Sequence, residues 1–188
     1  KVLDIGCGCG TESIWFAINN ADVTGLELNK ERLEVANERK RNFEKQFEVK
    51  IKANFVLADI FDYAEKMKEE YFDIIWMEQT YHHVEPRAKL ASVLRNLLKK
   101  DGFVVISESN GLNPFLQLSL LKQRGFETIK TYTNSNGLEK MFGIERITRK
   151  STLIKYFTSK GFLKISSRFY RVLPNNINLR SFTFLEYL

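Results

Sequence analysis

Apolar positions in the first 110 residues alternate between two rhythms. Val2-Leu3-Asp4-Ile5 is a short run, apolar except for Asp4, that ends in glycines, the pattern of a strand buried on both faces. Thr11-Glu12-Ser13 then opens a helix through Ile14, Trp15, Phe16 and Ile18, with Thr11 as its predicted N-cap and Asn19-Asn20 as its stop. Asp22 to Leu28 predicts a second strand, and Asn29 caps the charged helix that follows. In that helix Leu33, Ala36, Phe43 and Phe47 share one face, and Glu31, Glu34, Glu38, Arg39, Lys40 and Arg41 are largely solvated. Asn54 to Ala58 and Phe72 to Met77 read as third and fourth strands. Leu90, Val93, Leu94, Leu97 and Leu98 form a helical stripe, with Lys99-Lys100-Asp101-Gly102 predicted as its basic last turn and glycine stop. Phe103 to Ser107 reads as a fifth buried strand.

This β-α-β-α rhythm predicts an α/β fold, a Rossmann-like, doubly wound and mostly parallel sheet with helices on both faces. After Ser109 the rhythm breaks. Residues 112–124 predict a helix, 125–147 show little periodicity, and 149–160 predict another helix ended by Gly161. Phe162 to Val172 reads as a strand, while Leu173 to Leu188 fits helix and strand equally. The whole fits one domain of 188 residues: a first part over 1–110, a cap over 111–147 and closing sheet elements over 148–188.

Charge divides the chain along the same line. Residues 1–110 hold 16 Lys/Arg and 19 Asp/Glu, whereas 111–188 hold 13 Lys/Arg against Glu127, Glu139, Glu145 and Glu186. From Arg146 to Arg171 there are eight basic residues and no acidic one. Such asymmetry suggests an anionic partner for the second part; a well-solvated lysine-rich surface is the plain alternative. No apolar run approaches the roughly 18–20 residues needed to span a bilayer. Cys7 and Cys9 stand one residue apart, too close for an ordinary disulfide framework, so a reducing compartment, the cytoplasm, is expected.

Chemistry concentrates at strand ends. Asp4-Ile5-Gly6-Cys7-Gly8-Cys9-Gly10 joins a buried strand to a helix, where glycines let the backbone turn sharply and come close to a ligand. A dinucleotide fingerprint needs glycines at 6, 8 and 11, but position 11 is threonine. Glu27 ends the second strand, where an acid can accept hydrogen bonds from both hydroxyls of a ribose. Asp59 repeats the arrangement after the third strand and can accept from an adenine amino group, with Leu28 and Ile60 flanking the ring. Together these features favour an adenosine ligand.

The same residues resemble the class I S-adenosylmethionine-dependent methyltransferases, especially their small-molecule branch, well over 1–110 and loosely over 148–172. Val2 to Gly10 looks like the family's first motif, with Asp4, Gly6, Cys7, Gly8 and Gly10 as cofactor-binding positions. Glu27 resembles its ribose acid and Asp59 its adenine-contacting acid. Phe72-Asp73-Ile74-Ile75 followed by His82-His83-Val84 is similar to the fourth-strand segment. Leu97 to Gly102 resembles the family's Leu-Lys-Pro-Gly-Gly turn without its proline. The resemblance implies strand order 3-2-1-4-5, later strands added at the fifth-strand edge, and S-adenosylmethionine as cofactor. Family members carry helices upstream of the first strand, where this chain has only Lys1, so an N-terminally truncated chain is expected. Ser181 to Leu188 would supply the last strand of the usual closing hairpin.

Methyl transfer from a sulfonium mainly requires alignment of a nucleophile and exclusion of water. The segment Met77 to His83 should lie beside the methionine end, with Met77 against the cofactor. His82 or Glu78 could serve as general base, and Tyr81 and His83 are expected to contact substrate; a structural histidine is the plain alternative for His82 and His83. Cys7 and Cys9, one residue apart, and the adjacent His82 and His83 fit zinc geometry poorly, so no metal site is expected. The Asn/Asp-Pro-Pro-Tyr/Phe signature of adenine and glutamine methyltransferases is replaced by Glu78-Gln79-Thr80-Tyr81. The acceptor is therefore expected to be a small or lipid-like molecule, amphipathic or anionic, with the 111–147 cap helical and either covering the sheet or touching a membrane surface. Two other classes stay open: a nucleotide-cofactor oxidoreductase, against which Thr11 counts, and a non-catalytic, nucleic-acid-associated module, against which the full set of cofactor residues counts.

Overall fold

The computed structural model describes residues 1–133, 137–163 and 166–168. Five parallel strands form the central sheet: β1 (Val2–Ile5), β2 (Val23–Glu27), β3 (Ala53–Leu57), β4 (Phe72–Glu78) and β5 (Leu98–Ser107), in the order β3-β2-β1-β4-β5. The expected order is borne out. Helices α1 (Thr11–Ile18), α2 (Lys30–Phe47), α3 (Ile60–Ala64) and α4 (Arg87–Leu97) make the crossovers. Alternation along β1 divides the core: Leu3 and Ile5 pack with Phe72, Ile75, Met77, Leu90 and Leu94 on one face, and Val2 packs with Ile14, Ala17 and Val23 on the other. The strands are laid down outward from β1 to β3 and then continue with β4 on the other side of β1, which leaves a crevice between β1 and β4 at the carboxyl ends of the strands. No helix among the described residues is long and apolar enough to cross a membrane.

Local details revise several expectations. Gly10, in the left-handed conformation at φ 76°, takes the N-cap position expected of Thr11. Its carbonyl accepts from Ile14 N at 2.9 Å, while the Thr11 hydroxyl accepts from Arg39 instead. Asn29 does cap α2, accepting from Arg32 N at 2.9 Å. On α2 only Ala36 is buried, and Phe47 is exposed, its ring resting against Phe43. Residues 99–102 do not finish a helix. They belong to β5, which slips register opposite Phe72 and Ile74, and Lys99 pairs there with Asp73 at 2.7 Å. The short helix α3, capped by Asp59, was not apparent from periodicity because it spans little more than one turn.

The cap is only partly helical. Helix α5 (Pro114–Arg124) follows the expectation for 112–124, but β6 (Ile129–Thr133) and β7 (Glu139–Gly143) then pair antiparallel as a separate two-stranded sheet. No strand is therefore added at the β5 edge among the described residues. Helix α6 (Lys150–Ser159) comes next and buries Phe157 against the core. Of the strand expected over 162–172, the described residues 162, 163 and 166–168 are not in strand conformation; the remainder and the tail to Leu188 lie outside the described residues.

Asp4 is the exception in an apolar strand. It is 2% exposed, and the Ser13 hydroxyl donates to it at 2.6 Å. Burial, partly opposed by that hydrogen bond, pushes its pKa up to about 7. Between the ordinary carboxyl range and about pH 7 the folded chain therefore holds a proton at Asp4 that the unfolded chain has lost, so stability falls with rising pH across that window and levels off above it.

Two outcomes follow for stability. Asp4→Asn removes this falling segment, and its advantage over the parent in urea unfolding should grow between pH 4 and pH 7 to a few kcal/mol, on the order of the linked shift; parallel pH profiles would contradict the assignment. Leu94→Ala, fully buried, should cost about 2–5 kcal/mol, whereas Phe115→Ala, 83% exposed, should stay within about 0.5 kcal/mol.

Candidate active site

The loop between β1 and α1 folds back over the ends of β2 and β3. A Cβ on Gly10 would stand 2.7 Å from the Phe55 ring, so only glycine admits this packing. Gly8 differs. It also has positive φ (53°), but no atom lies within 4 Å of where its Cβ would be, leaving its backbone face open to a ligand.

Glu27 holds this loop. Its carboxylate, only 8% exposed, accepts from Gly8 N at 2.9 Å and from Leu28 N and Asn29 N at 2.8 Å each. Three of roughly four acceptor directions are thus engaged by backbone, and Glu27 still lines the cavity, with acceptor capacity left for a hydroxyl. Asp59 receives Phe61 N at 2.7 Å, and burial raises its pKa against that hydrogen bond. Leu28 and Ile60 flank the same space. Cys7 is buried, and desolvation pushes its thiol pKa up, so it supplies packing rather than a thiolate.

These groups form one wall of a cavity of about 580 Å³, within the size range of small-molecule sites. The opposite wall comes from the end of β4: Glu78, Gln79, Thr80 and His83 line it. Gln79 has φ 48°, a left-handed conformation that a side chain tolerates at a cost, at the point where the chain leaves the sheet. The hairpin β6–β7 roofs the cavity with Tyr132, Met141 and Phe142. It is fastened by an ion pair between Lys140 and Asp62, by a bridge between Val84 and Phe142, and by Gly143, whose missing Cβ would fall 2.1 Å from the His82 carbonyl oxygen.

The sequence-derived candidates separate accordingly. Gly6, Glu27, Leu28, Asp59, Ile60, Glu78 and His83 meet at the cavity. Asp4, Cys7 and Gly10 stand behind it and shape the loop, and Met77 is fully buried in the core beneath. Tyr81 also points into the core. Burial pushes its pKa up to about 12, and Arg87 lies 4.9 Å over its ring. His82, 4% exposed, sits beside the cavity wall with Nδ1 2.7 Å from Glu108. His83 makes the corresponding contact with the Gly143 carbonyl at 2.8 Å.

Tyr132 and Phe142 belong, with Phe126 and Arg146, to the aromatic, basic stretch of the expected 111–147 cap, and these two do line the cavity. Met141, Glu108 and Glu145 were not singled out from sequence, although Asn136-Gly137 between two short alternating runs is a hairpin pattern that would have placed Met141. Glu108 and Glu145 reach His82 only through tertiary contacts, which no local pattern announces.

The spare acceptor capacity of Glu27 and the Asp59 carboxyl between its apolar flanks Leu28 and Ile60 could hold the ribose and the adenine of S-adenosylmethionine. A ubiquinone biosynthesis O-methyltransferase of Vibrio atlanticus is 34% identical over 110 residues, 58% of this chain and 44% of that one. A 27-O-demethylrifamycin SV methyltransferase of Amycolatopsis mediterranei is 28% identical over 113 residues, 57% of this chain and 38% of the relative. The chain thus spans less than half the length of these curated relatives. Among solved structures, a SAM-dependent methyltransferase from Archaeoglobus fulgidus superposes with a TM-score of 0.63 at 16% identity, covering 99% of this chain and 76% of that one. Phosphoethanolamine N-methyltransferase 2 of Haemonchus contortus, solved with S-adenosyl-L-methionine, does so with a TM-score of 0.61 at 20% identity, over 86% of this chain and 33% of its own. These solved structures share the fold. A family model described as a methyltransferase domain matches residues 1–161, and the chain belongs to that family.

Proposed function

We propose that this chain is the catalytic core of an S-adenosylmethionine-dependent methyltransferase acting on a hydroxyl of a small, amphipathic molecule. One observation carries the reading: a single cavity joins the adenosine-type wall of Gly6, Glu27 and Asp59 to the Glu78–His83 wall, with an aromatic roof above both. When bound, the cofactor supplies a methyl group on a sulfonium, and the C–S bond breaks as a new O–C bond forms, leaving a neutral thioether. Glu27 accepts ribose hydroxyls, and the Gly8 backbone admits close approach of the ligand. Glu78 takes the proton that the acceptor hydroxyl loses. Tyr132, Met141 and Phe142 exclude water and present apolar surface to the acceptor.

His82, expected as an alternative base, is buried with its Nδ1 engaged by Glu108, so Glu78 and His83 are the groups within reach of an acceptor. An amphipathic acceptor is supported by α5 and its flanks, where Leu112, Phe115, Leu118 and Phe126 are exposed on the same stretch as Lys122 and Arg124. The relatives named for ubiquinone and rifamycin methylation agree with a hydroxyl on a largely apolar molecule.

Calorimetry with S-adenosylhomocysteine tests the cofactor half. The parent should bind it in preference to a nicotinamide dinucleotide, and Glu27→Ala or Asp59→Ala should weaken binding by about tenfold or more, the scale of a lost hydrogen bond to a charged group. Unchanged affinity in both variants, or preference for the dinucleotide, would sink the reading. Glu78→Gln should lower kcat by about a hundredfold while leaving S-adenosylhomocysteine affinity intact; full activity would exclude it as the proton acceptor.

A further inference from the structure

Above the β4 end three acceptor atoms face one another. His83 Nδ1 lies 2.8 Å from the Gly143 carbonyl, which can only accept, so Nδ1 carries the proton and a neutral His83 has its lone pair on Nε2. His82 Nδ1 lies 2.7 Å from Glu108 Oε2, and the Glu108 carboxylate also accepts the His82 backbone amide at 3.2 Å, which likewise leaves the neutral lone pair on Nε2. Both Nε2 atoms then turn toward one carboxylate: Glu145 Oε2 is 3.6 Å from His82 Nε2, and Glu145 Oε1 is 3.8 Å from His83 Nε2. One ligand atom from each of these three residues lies within 4.8 Å of the others. Neither contact is short enough to be a hydrogen bond. With both imidazoles neutral, three convergent acceptors call for a cation between them; the competing arrangement, a protonated imidazole donating to Glu145, would bind no metal.

We propose that His82, His83 and Glu145 bind a divalent transition-metal ion, with zinc as the best-fitting probe. Two imidazoles and a carboxylate are a zinc ligand set with a fourth position left open. Ligands about 2.1 Å from a tetrahedral ion stand about 3.4 Å apart, close to the separations here, so small side-chain adjustments close the site. Each histidine already has the outer partner that metal-ligating imidazoles use to fix tautomer and ring orientation, a carboxylate for His82 and a carbonyl for His83. Glu145 is held in a left-handed conformation at φ 46°, a strained position stabilised around it by the Ile147 N to Glu145 O bond at 2.9 Å. The cysteines take no part; Cys7 and Cys9 belong to the glycine loop.

His83 lines the cavity and Glu145 is 40% exposed at its side chain, so the fourth position opens toward the acceptor side. Resting on the methyl-transfer reading above, the ion would hold the acceptor oxygen and ease loss of its proton to Glu78 before the O–C bond forms. Mg²⁺, which prefers an all-oxygen shell, should not compete.

The test is calorimetric titration of the metal-free chain with Zn²⁺ alone, and separately with S-adenosylhomocysteine. One Zn²⁺ should bind per chain, insensitive to excess Mg²⁺. Glu145→Gln and His83→Asn should each weaken zinc by more than about tenfold, and Glu108→Gln, which loosens only the His82 orientation, by roughly 10–100-fold. His83→Asn keeps a donor near Nδ1 for the Gly143 carbonyl while deleting Nε2. Retained S-adenosylhomocysteine binding certifies that each variant is folded. Absence of zinc binding by the parent, or equal binding by parent and both ligand variants, overturns the site. Zinc bound with no S-adenosylhomocysteine affinity in the parent would keep the metal site and remove the methyltransferase reading instead.

Discussion

A carboxylate that accepts three main-chain amides is a rigid joint, and in this chain Glu27 is that joint. It ends β2, yet one of its oxygens reaches across to the Gly8 amide in the loop after β1, while the other caps the turn into α2. The glycine loop has positive φ at Gly6, Gly8 and Gly10; its base is tied to β2 by the Gly6 and Cys7 amides on the Leu26 carbonyl, and at its tip the Gly8 amide is held by Glu27 and the Cys9 carbonyl by Arg39. Without an anchor, a loop so permissive would sample many shapes, and the entropy lost on holding a ligand would be large. The joint spends a buried charge to remove that freedom in advance. It also sets the distance between the β1 and β2 ends, and the Asp59 end of β3 follows through the parallel ladder between β2 and β3.

A second, separate fastening governs the acceptor side. The carboxylate of Glu85, 6% exposed, meets both Arg87 and Arg146, and Arg87 also reaches the Arg146 carbonyl and the Thr148 hydroxyl. Burial lowers the Arg87 pKa from its ordinary value, with the nearby Arg146 charge acting in the same direction and Tyr81 and Glu85 opposing, and the guanidinium remains a cation throughout the working range. A pair this buried adds less to stability than its contacts suggest, because desolvation offsets the attraction. Its effect is positional: residues 142–148 are brought over the turn at 81–87, which is what carries Glu145 to the two histidines.

The parallel half of the molecule was legible in the sequence because strand and helix signals there are local and strong. Val2 to Ile5, Phe72 to Met77 and the leucine stripe from Leu90 each show one period over their length, and the strand order was correctly implied by the resemblance. Errors arose where tertiary packing outweighed local preference. Thr11 is a better cap by chemistry than Gly10, but the loop needs left-handed backbone at position 10, and the cap position goes with it. The basic tetrapeptide at 99–102 looks like a helix end, yet Lys99 finds Asp73 and the segment continues as strand. In the site, Gly6, Glu27 and Asp59 were readable from their places at strand ends. Tyr81 was not, because the single 3-10 turn at 81–83 rotates neighbouring side chains to opposite sides, one into the core and one onto the cavity. Charge asymmetry suggested an anionic partner for residues 111–188, but two of the basic residues there are occupied internally, Lys140 by Asp62 and Arg146 by Glu85.

Gly143 has a consequence for how the molecule can change. Because its α-carbon rests against the His82 carbonyl, the roof cannot slide along the turn beneath it; it can only vary at its outer surface. The roof meets the Asp59 side through the Lys140–Asp62 pair and the β4 end through Gly143 and the Val84 bridge, while the glycine loop closes on the β4 end where Gly6 faces Thr80. Tyr132 and Met141 can be exchanged for residues of other shapes without disturbing the glycine loop or the Glu27 joint, which depend on none of them. A chain built this way separates the part that must stay constant, the glycine loop and its Glu27 anchor, from a roof whose cavity-facing residues can be rewritten. One hydrogen atom at Gly143, standing where any other residue would carry a β-carbon, is what lets that roof seat on the turn beneath it.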